Sequence, residues 1–160
     1  MFALMKSEPI SSSKELTAMM LITTIASPKK VLLLLSRKHQ LWMPPGGHVE
    51  PNENPFEAVL REVLEETGID ASSYFPKVTR YDKDRVEVPL PARIVEVHLT
   101  HGGVEHYHVD CMYLAKVSTE LPVKHDDTES SSIGWFSLPD LSELHIPADI
   151  LPAIAQELKV

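Results

Sequence analysis

Residues 46–69 read Gly46-Gly47-His48-Val49-Glu50-Pro51-Asn52-Glu53-Asn54-Pro55-Phe56-Glu57-Ala58-Val59-Leu60-Arg61-Glu62-Val63-Leu64-Glu65-Glu66-Thr67-Gly68-Ile69. The stretch specifies a loop, a helix and a stop in one pass. Asn54 suits a helix N-cap, Pro55 the first helical position and Glu57 the third, the pattern of a capping box. Gly68 suits the left-handed position just past a helix end. The spacing therefore predicts a helix over Pro55–Thr67. Phe56, Val59, Leu60 and Val63 recur at intervals of three and four, which makes one apolar face and predicts packing against a sheet.

A second face of this helix is unusual. Glu62, Glu65 and Glu66 stand at i, i+3 and i+4, so their carboxylates share one side. Like charges at this spacing cost a helix a few tenths of a kcal/mol, about 0.2–0.5 per pair. They also crowd the C-terminal half, where the helix dipole disfavours anions. Stability alone would place Lys or Arg at one of these sites. Carboxylates directed at one point are what hard divalent cations require. Read alone, E-x-x-E-E is also what a solvated acidic face looks like.

The flanking residues change the reading. Gly47, Glu53, Arg61, Glu62, Val63, Glu65, Glu66, Gly68 and Ile69 fill every fixed position of G-x5-E-x7-R-E-U-x-E-E-x-G-U, where U is a bulky aliphatic. This resembles the Nudix box. The surroundings, Trp42-Met43-Pro44-Pro45-Gly46 before and His48-Val49-Glu50-Pro51 after, are similar to the usual setting of the box. The resemblance implies a hydrolase that cleaves a diphosphate linked to another moiety, usually a nucleoside. It implies that Glu62, Glu65 and Glu66 bind Mg2+, with Mn2+ as substitute, and that the Gly46 carbonyl adds a ligand. It also implies that Arg61 and Glu53 brace the loop on the helix. The residue positions agree with that role, since Glu53 sits just before the helix and Arg61 flanks the carboxylates. Gly46 and Gly47 suit a close backbone approach to an ion.

The mechanism implied is metal-assisted hydrolysis, in which a carboxylate takes a proton from the attacking water. Members of the family differ in which carboxylate this is. Asp126, Asp127 and Glu129 lie on a polar loop ahead of Ile133-Gly134-Trp135-Phe136. A loop acid in that position resembles the family's extra ligand or base, and Glu129 is the residue favoured here. Candidate substrate contacts are Arg37, Gly47 and His108. Arg37, Lys38 and His39 precede the glycine loop, where they could reach phosphates or form a solvated turn. Trp42 and Phe136 could stack a base, but aromatics beside apolar strands are commonly core. Tyr81, Lys83 and Arg85 lie where the family often reads its substrate.

His106, His108 and Asp110 alternate, so in a strand they share one face. A zinc site there would need a further ligand, from His98 or His101. The plainer reading is a polar strand face bordering the substrate cleft, with Cys111 on the opposite, core-facing side.

Working outward, Leu16–Ile25 and Val31–Leu35 are apolar and read as buried strands that could form a hairpin, broken at Ser27-Pro28. Trp42–Gly47 is Pro/Gly-rich and is expected to be irregular. Val86–Leu99 is Val/Ile-rich, but Pro89 and Pro91 delay its firm strand to about Ala92. His106–Val117 and Gly134–Ser137 read as strands. Ala148–Leu158 reads as a helix opening at Pro147. These elements predict an α/β (α+β) fold, and the resemblance makes it a Nudix-type α/β/α sandwich with a mixed sheet around the loop–helix–loop of the box. Residues 1–160 are expected to form a single domain of this type, since about 100–200 residues make one domain.

Composition restricts the partners. Lys and Arg number 15 against 23 Asp and Glu, for a formal net charge of −8. That argues against a nucleic-acid polymer, whose binding relies on clustered cations. It also argues against a hydrolase of messenger RNA ends, and leaves a small nucleotide substrate whose charge a cation offsets. No apolar run approaches the roughly 18 residues that span a bilayer. Met1–Ile10, with Lys6 and Glu8, reads as a poor secretory signal. The one cysteine fits a reducing compartment, so a cytoplasmic location is expected. Similar proteins are often dimers, which leaves a homodimer open. Sixteen residues past Gly68 stands Asp84, where ADP-ribose hydrolases tend to have proline. The signatures of dinucleoside polyphosphate hydrolases and NADH pyrophosphatases are also missing. A nucleoside triphosphate or related nucleotide is the expected substrate. An ADP-ribose or nucleotide-sugar hydrolase and a non-catalytic nucleotide-binding module are the alternatives.

Overall fold

β1 (Lys14–Thr24) is the strand around which the sheet is built. The computed structural model describes residues 13–101, 104–125 and 127–159. After β1 come β2 (Lys30–Ser36), β3 (Trp42–Met43), β4 (Gly46–His48), α1 (Pro55–Thr67), β5 (Thr79–Arg80) and β6 (Val86–Glu87). β7 (Arg93–His101), β8 (Val104–Val117), β9 (Ser130–Ser137) and α2 (Leu151–Lys159) follow. Seven strands form one sheet in the order β3-β2-β1-β8-β7, with β4 also on β1 and β9 also on β2. β5 and β6 make a separate ribbon.

β1 runs parallel to β8 from Lys14↔Tyr107 to Thr24↔Val117. Its other edge is divided between β4, through Thr17↔His48, Ala18↔Gly47 and Met19↔Gly46, and β2, through Thr23↔Val31. The remaining pairings are antiparallel, so the sheet is mixed. A strand paired on both edges and covered on both faces should be apolar throughout. Residues 17–24 of β1 are all buried.

The period of two along each strand sorts the core into two layers. Ala18, Met20, Ile22, Leu32, Cys111, Tyr113, Ala115 and Val117 pack against Phe56, Val59 and Val63 of α1. Met19, Leu21, Val31, Leu33 and Met112 pack against Ala153, Ile154 and Leu158 of α2. A mixed sheet thus lies between two helices, as expected, and Cys111 is a core residue on the α1 side. Each Val, Leu or Ile so covered contributes about 1.5–3 kcal/mol relative to exposure.

Several boundaries differ from the sequence expectation. Trp42–Gly47 is not irregular throughout, because β3 and β4 flank a break at Pro44-Pro45. The Pro45 carbonyl accepts from the Met20 N–H at 3.0 Å, so a residue without a donor still joins the sheet. β9 begins at Ser130, four residues earlier than Gly134. α2 begins at Leu151, not Ala148. Pro152 lacks an N–H and is tolerated only in a first turn, which puts the helix start just before it. Prolines 89 and 91 do divide the Val86–Leu99 run, leaving β6 and β7 on either side. Among the described residues, no helix is long and apolar enough to cross a membrane.

Candidate functional site

α1 is fixed at both ends by the residues that predict it. The Asn54 side chain accepts from the N–H groups of Phe56 (3.0 Å) and Glu57 (3.1 Å), and the Glu57 carboxylate accepts from the Asn54 N–H at 2.9 Å. Gly68 closes the helix at φ 72°, its N–H donating to the Leu64 carbonyl. With Phe56, Val59 and Val63 committed to the core, the flank bearing Arg61, Glu62, Glu65 and Glu66 is turned toward the β4 loop and the 127–130 turn.

Arg61 organises this flank. Its Nη2 donates to Glu53 Oε1 at 2.7 Å and its Nε to Glu53 Oε2 at 3.2 Å. Nη2 also reaches the His48 carbonyl at 3.2 Å, while Nη1 donates to Glu62 (2.8 Å) and Glu65 (3.2 Å). Glu53 in turn accepts from the Glu50 N–H. Two-point pairing of guanidinium and carboxylate sets geometry as well as energy. The Arg61 hydrogen bond holds the Glu53 carboxyl below the ordinary carboxylate range, and Glu53 pushes the Arg61 pKa further up.

Glu62 is more covered than Glu65, its side chain 14% exposed against 57%. It lies against the β4 backbone, so close that a Cβ on Gly47 would meet it. Burial pushes its pKa up; the Arg61 hydrogen bond opposes this, and the charges of Glu65 and Glu129 add to the rise. Glu66 accepts from the Gly46 N–H at 2.9 Å. The three carboxylates are therefore distributed over Arg61 and the β4 backbone rather than drawn to one point.

Across from them is the turn that leads into β9. A cleft of about 140 Å³ is lined by Glu62, Glu65, Glu66, Thr128, Glu129 and Ser130. A wider, shallower groove of about 470 Å³ shares Glu65 and continues past Gly68 to Lys124, His125 and Asp127. Arg37 tethers the turn, its Nε donating to the carbonyls of Asp127 (2.8 Å) and Ser130 (3.0 Å). Its own N–H bonds the Glu129 carbonyl at 2.9 Å. Asp127 pairs with His125 at 2.9 Å. Asp126 lies outside the described residues.

The structure thus brings together Glu53, Arg61, Glu62, Glu65, Glu66, Gly46, Gly47 and Glu129, with Arg37 beneath the acidic turn. Gly46 meets the group through its N–H on Glu66, where the resemblance implied a carbonyl contact. His108 is not brought to this group. It stands opposite Glu15 in the β1–β8 register and lies on the α2 side of the sheet, as Met112 does. Trp42 and Phe136 pack edge to face at 4.7 Å within the α2-side core, so neither is presented as a stacking platform. Tyr81, Lys83 and Arg85 belong to the β5–β6 ribbon region, where Arg85 pairs with Asp82. The role of Arg37 in holding the turn had no local signal, because it depends on the register of β2 with β9.

An all-oxygen set that includes a desolvated carboxylate, with further acidic groups around it, has the chemistry that hard divalent cations take. The donor types present suit such an ion, which would draw to one point carboxylates that are here held by Arg61 and the Gly46 N–H.

Comparison with known proteins follows the same lines. A family model described as the NUDIX domain matches residues 16–155. A "Putative 8-oxo-dGTP diphosphatase" of Bacillus subtilis is 39% identical over 126 residues, covering 79% of this chain and 70% of that protein. The asymmetrical bis(5'-nucleosyl)-tetraphosphatase of Mus musculus is 64% identical over 31 residues, 19% of this chain and 21% of that protein's length. A crystal structure of a NUDIX-family hydrolase from Clostridium perfringens superposes with a TM-score of 0.69 at 26% identity, covering 91% of this chain and 96% of that one.

Proposed function

The chain belongs to the Nudix hydrolase family, and on that premise we propose that it hydrolyses the diphosphate linkage of a small nucleoside diphosphate derivative, a nucleoside triphosphate or related nucleotide. One observation carries the reading: Glu62, Glu65, Glu66 and Glu129 line one cleft, with Glu62 desolvated and Arg61 fixed by Glu53. Glu62, Glu65 and Glu66 would hold Mg2+, or Mn2+ in its place. When bound, the ion neutralises diphosphate charge and acidifies a water. The chain's own residues do the rest. Arg61 and Glu53 keep the β4 loop seated on α1, and Gly47 leaves room for the Glu62 carboxylate. Glu129, on the far side of the cleft, takes the proton from the attacking water. Arg37 positions Glu129 through the turn and serves the substrate phosphates only from that rim. The likeness to a Bacillus subtilis protein named for 8-oxo-dGTP supports a triphosphate as substrate, with the oxidised base as one variant to test.

The test is release of phosphate and pyrophosphate, with and without Mg2+. The panel holds nucleoside triphosphates, oxidised nucleotides, ADP-ribose, dinucleoside polyphosphates and nucleotide sugars. Mg2+-dependent cleavage of a triphosphate to monophosphate is expected. Turnover confined to ADP-ribose or nucleotide sugars would overturn the substrate class. Binding of a nucleotide with no product across the whole panel would overturn the enzymatic reading.

A further inference from the structure

Three side chains from three strands meet on the α2 side of the sheet. Glu15 of β1 is the register partner of His108 of β8, and His48 of β4 is the partner of Thr17, two residues along β1. A step of two keeps all three on one face. His48 Nε2 lies 2.9 Å from Glu15 Oε2, and His108 Nε2 lies 3.6 Å from the same oxygen. The three ligand atoms are all within 4.8 Å of one another. The imidazole rings of His48 and His108 stand edge to face at 5.0 Å.

The His108 Nε2 is the informative atom. It is buried and has no hydrogen-bond partner among the described residues. Buried polar atoms are nearly always paired, so an orphan aimed at a carboxylate and a second imidazole calls for a missing partner. Burial also pushes the His108 pKa down, favouring the neutral imidazole that coordinates metals.

We propose that Glu15, His48 and His108 bind a transition-metal ion of the zinc class, at a site separate from the carboxylates of α1. Two imidazoles and one carboxylate are a borderline donor set, suited to Zn2+ and poorly suited to Mg2+. Ligand atoms about 2.0–2.1 Å from a tetrahedral Zn2+ lie about 3.3 Å from one another. The spacings here bracket that value, so small side-chain shifts complete the site. The side chains of Glu15 and His48 are 42% and 59% exposed, which gives the ion access and leaves room for a water as fourth ligand. His108, more enclosed, anchors the ion from below.

The ligand set differs from the one the sequence pattern suggests. Asp110 is already engaged by the Thr17 hydroxyl, and His98 stacks on Tyr107 at 4.8 Å. His106 stands next to His108 with ring centres 5.1 Å apart but is not in the ligand group. The side chain of His101 lies outside the described residues. The inference is independent of the hydrolytic reading, because His48 and Gly47 point to opposite faces of β4.

The test uses untagged, metal-stripped full-length protein in excess Mg2+. Zn2+ is titrated by calorimetry, and Co2+ replaces it as a spectroscopic probe. One Zn2+ per chain is expected, with an intense visible Co2+ band of low coordination number. His48→Ala, at an exposed position, should weaken Zn2+ binding by at least about 100-fold, more than loss of an outer-sphere partner costs. His108→Gln, with its fold checked by circular dichroism, should do the same. The double variant Glu65→Gln/Glu66→Gln should keep the Zn2+ affinity within a few-fold. Absent Zn2+ binding, binding unchanged in His48→Ala, or binding lost with the α1 carboxylates would each overturn the proposal.

Discussion

A Cβ at Gly47 would overlap Oε1 of Glu62 and lie 2.7 Å from its Cδ. The obstacle is one carboxylate and not the backbone, so the fold can absorb a methyl group by turning Glu62 away. Gly46 is the opposite case. There a Cβ would overlap the Ala18 carbonyl and meet the Met19 Cα at 2.6 Å, at a φ of 154°. Gly47→Ala should lower turnover by about 10–100-fold, as displaced metal-site groups do, while its thermal midpoint moves little. Gly46→Ala should cost stability first, by more than about 1–3 kcal/mol, the usual penalty of overpacking. Paired melting curves and rates of the two variants check the contrast.

The carboxylates can be separated by their environments. Glu65→Gln and Glu66→Gln should each reduce Mg2+-dependent turnover by at least about 100-fold, and both proteins should remain folded. The Glu66 amide oxygen can still accept from the Gly46 N–H, so the loop keeps that contact. Turnover as Mg2+ is titrated reads the effect. Wild-type rates in both variants would remove these residues from the site.

Glu129 should affect turnover and not binding. Loss of a general base costs about 10²–10⁴-fold, so Glu129→Gln should reduce kcat within that range with KM nearly unchanged. Arg37→Gln, which removes the Nε contacts to the Asp127 and Ser130 carbonyls without altering a carboxylate, should reproduce part of the loss. A rise in KM with constant kcat in Glu129→Gln would assign Glu129 to substrate binding instead.

Glu53 and Arg61 give the loop its stability. Glu53→Gln leaves one acceptor oxygen for the guanidinium and turns an NH2 donor against its N–H groups, so the two-point contact is lost and about 1–2 kcal/mol of stability is expected to go with it for this largely covered pair. Because Glu53 is held below its ordinary pKa, the stability it contributes is present above the unfolded value of about 4.3 and is lost as pH falls through the depressed one. Urea midpoints of wild type and Glu53→Gln should therefore converge on acidification.

Asp110 carries the opposite sign. Burial raises its pKa, with the Thr17 hydrogen bond opposing. Stability from its protonated form is fully present below the unfolded value of about 3.9 and is lost as pH rises through the raised one. Measured by denaturant at pH 4.5 and 7.5, wild type should lose ground to Asp110→Asn as pH increases. A pH-independent difference between the two would contradict the burial argument.

What could be read from the sequence was what depends on neighbours along the chain. α1 runs over Pro55–Thr67 as the spacing predicts, since its cap, first turn, apolar face and closing glycine are all local. The grouping of Glu53, Arg61 and the three glutamates is legible for the same reason. α2 begins three residues late because Pro152 outweighs Pro147, two prolines competing for one helix start. The Arg37 tether and the Glu15–His48–His108 cluster could not be read at all. Each joins residues brought together only by strand register, and a shift of one residue would send them to different faces.

The parallel pairing of β1 with β8 also sets an order of assembly. Lys14 meets Tyr107 and Thr24 meets Val117, so the central ladder closes only after more than half the chain has been synthesised. Closing so long a loop is entropically costly and slow compared with hairpins such as β7–β8. Until then β1 presents an unpaired apolar edge, so a chain truncated before β8 should be a target for chaperones and prone to aggregation.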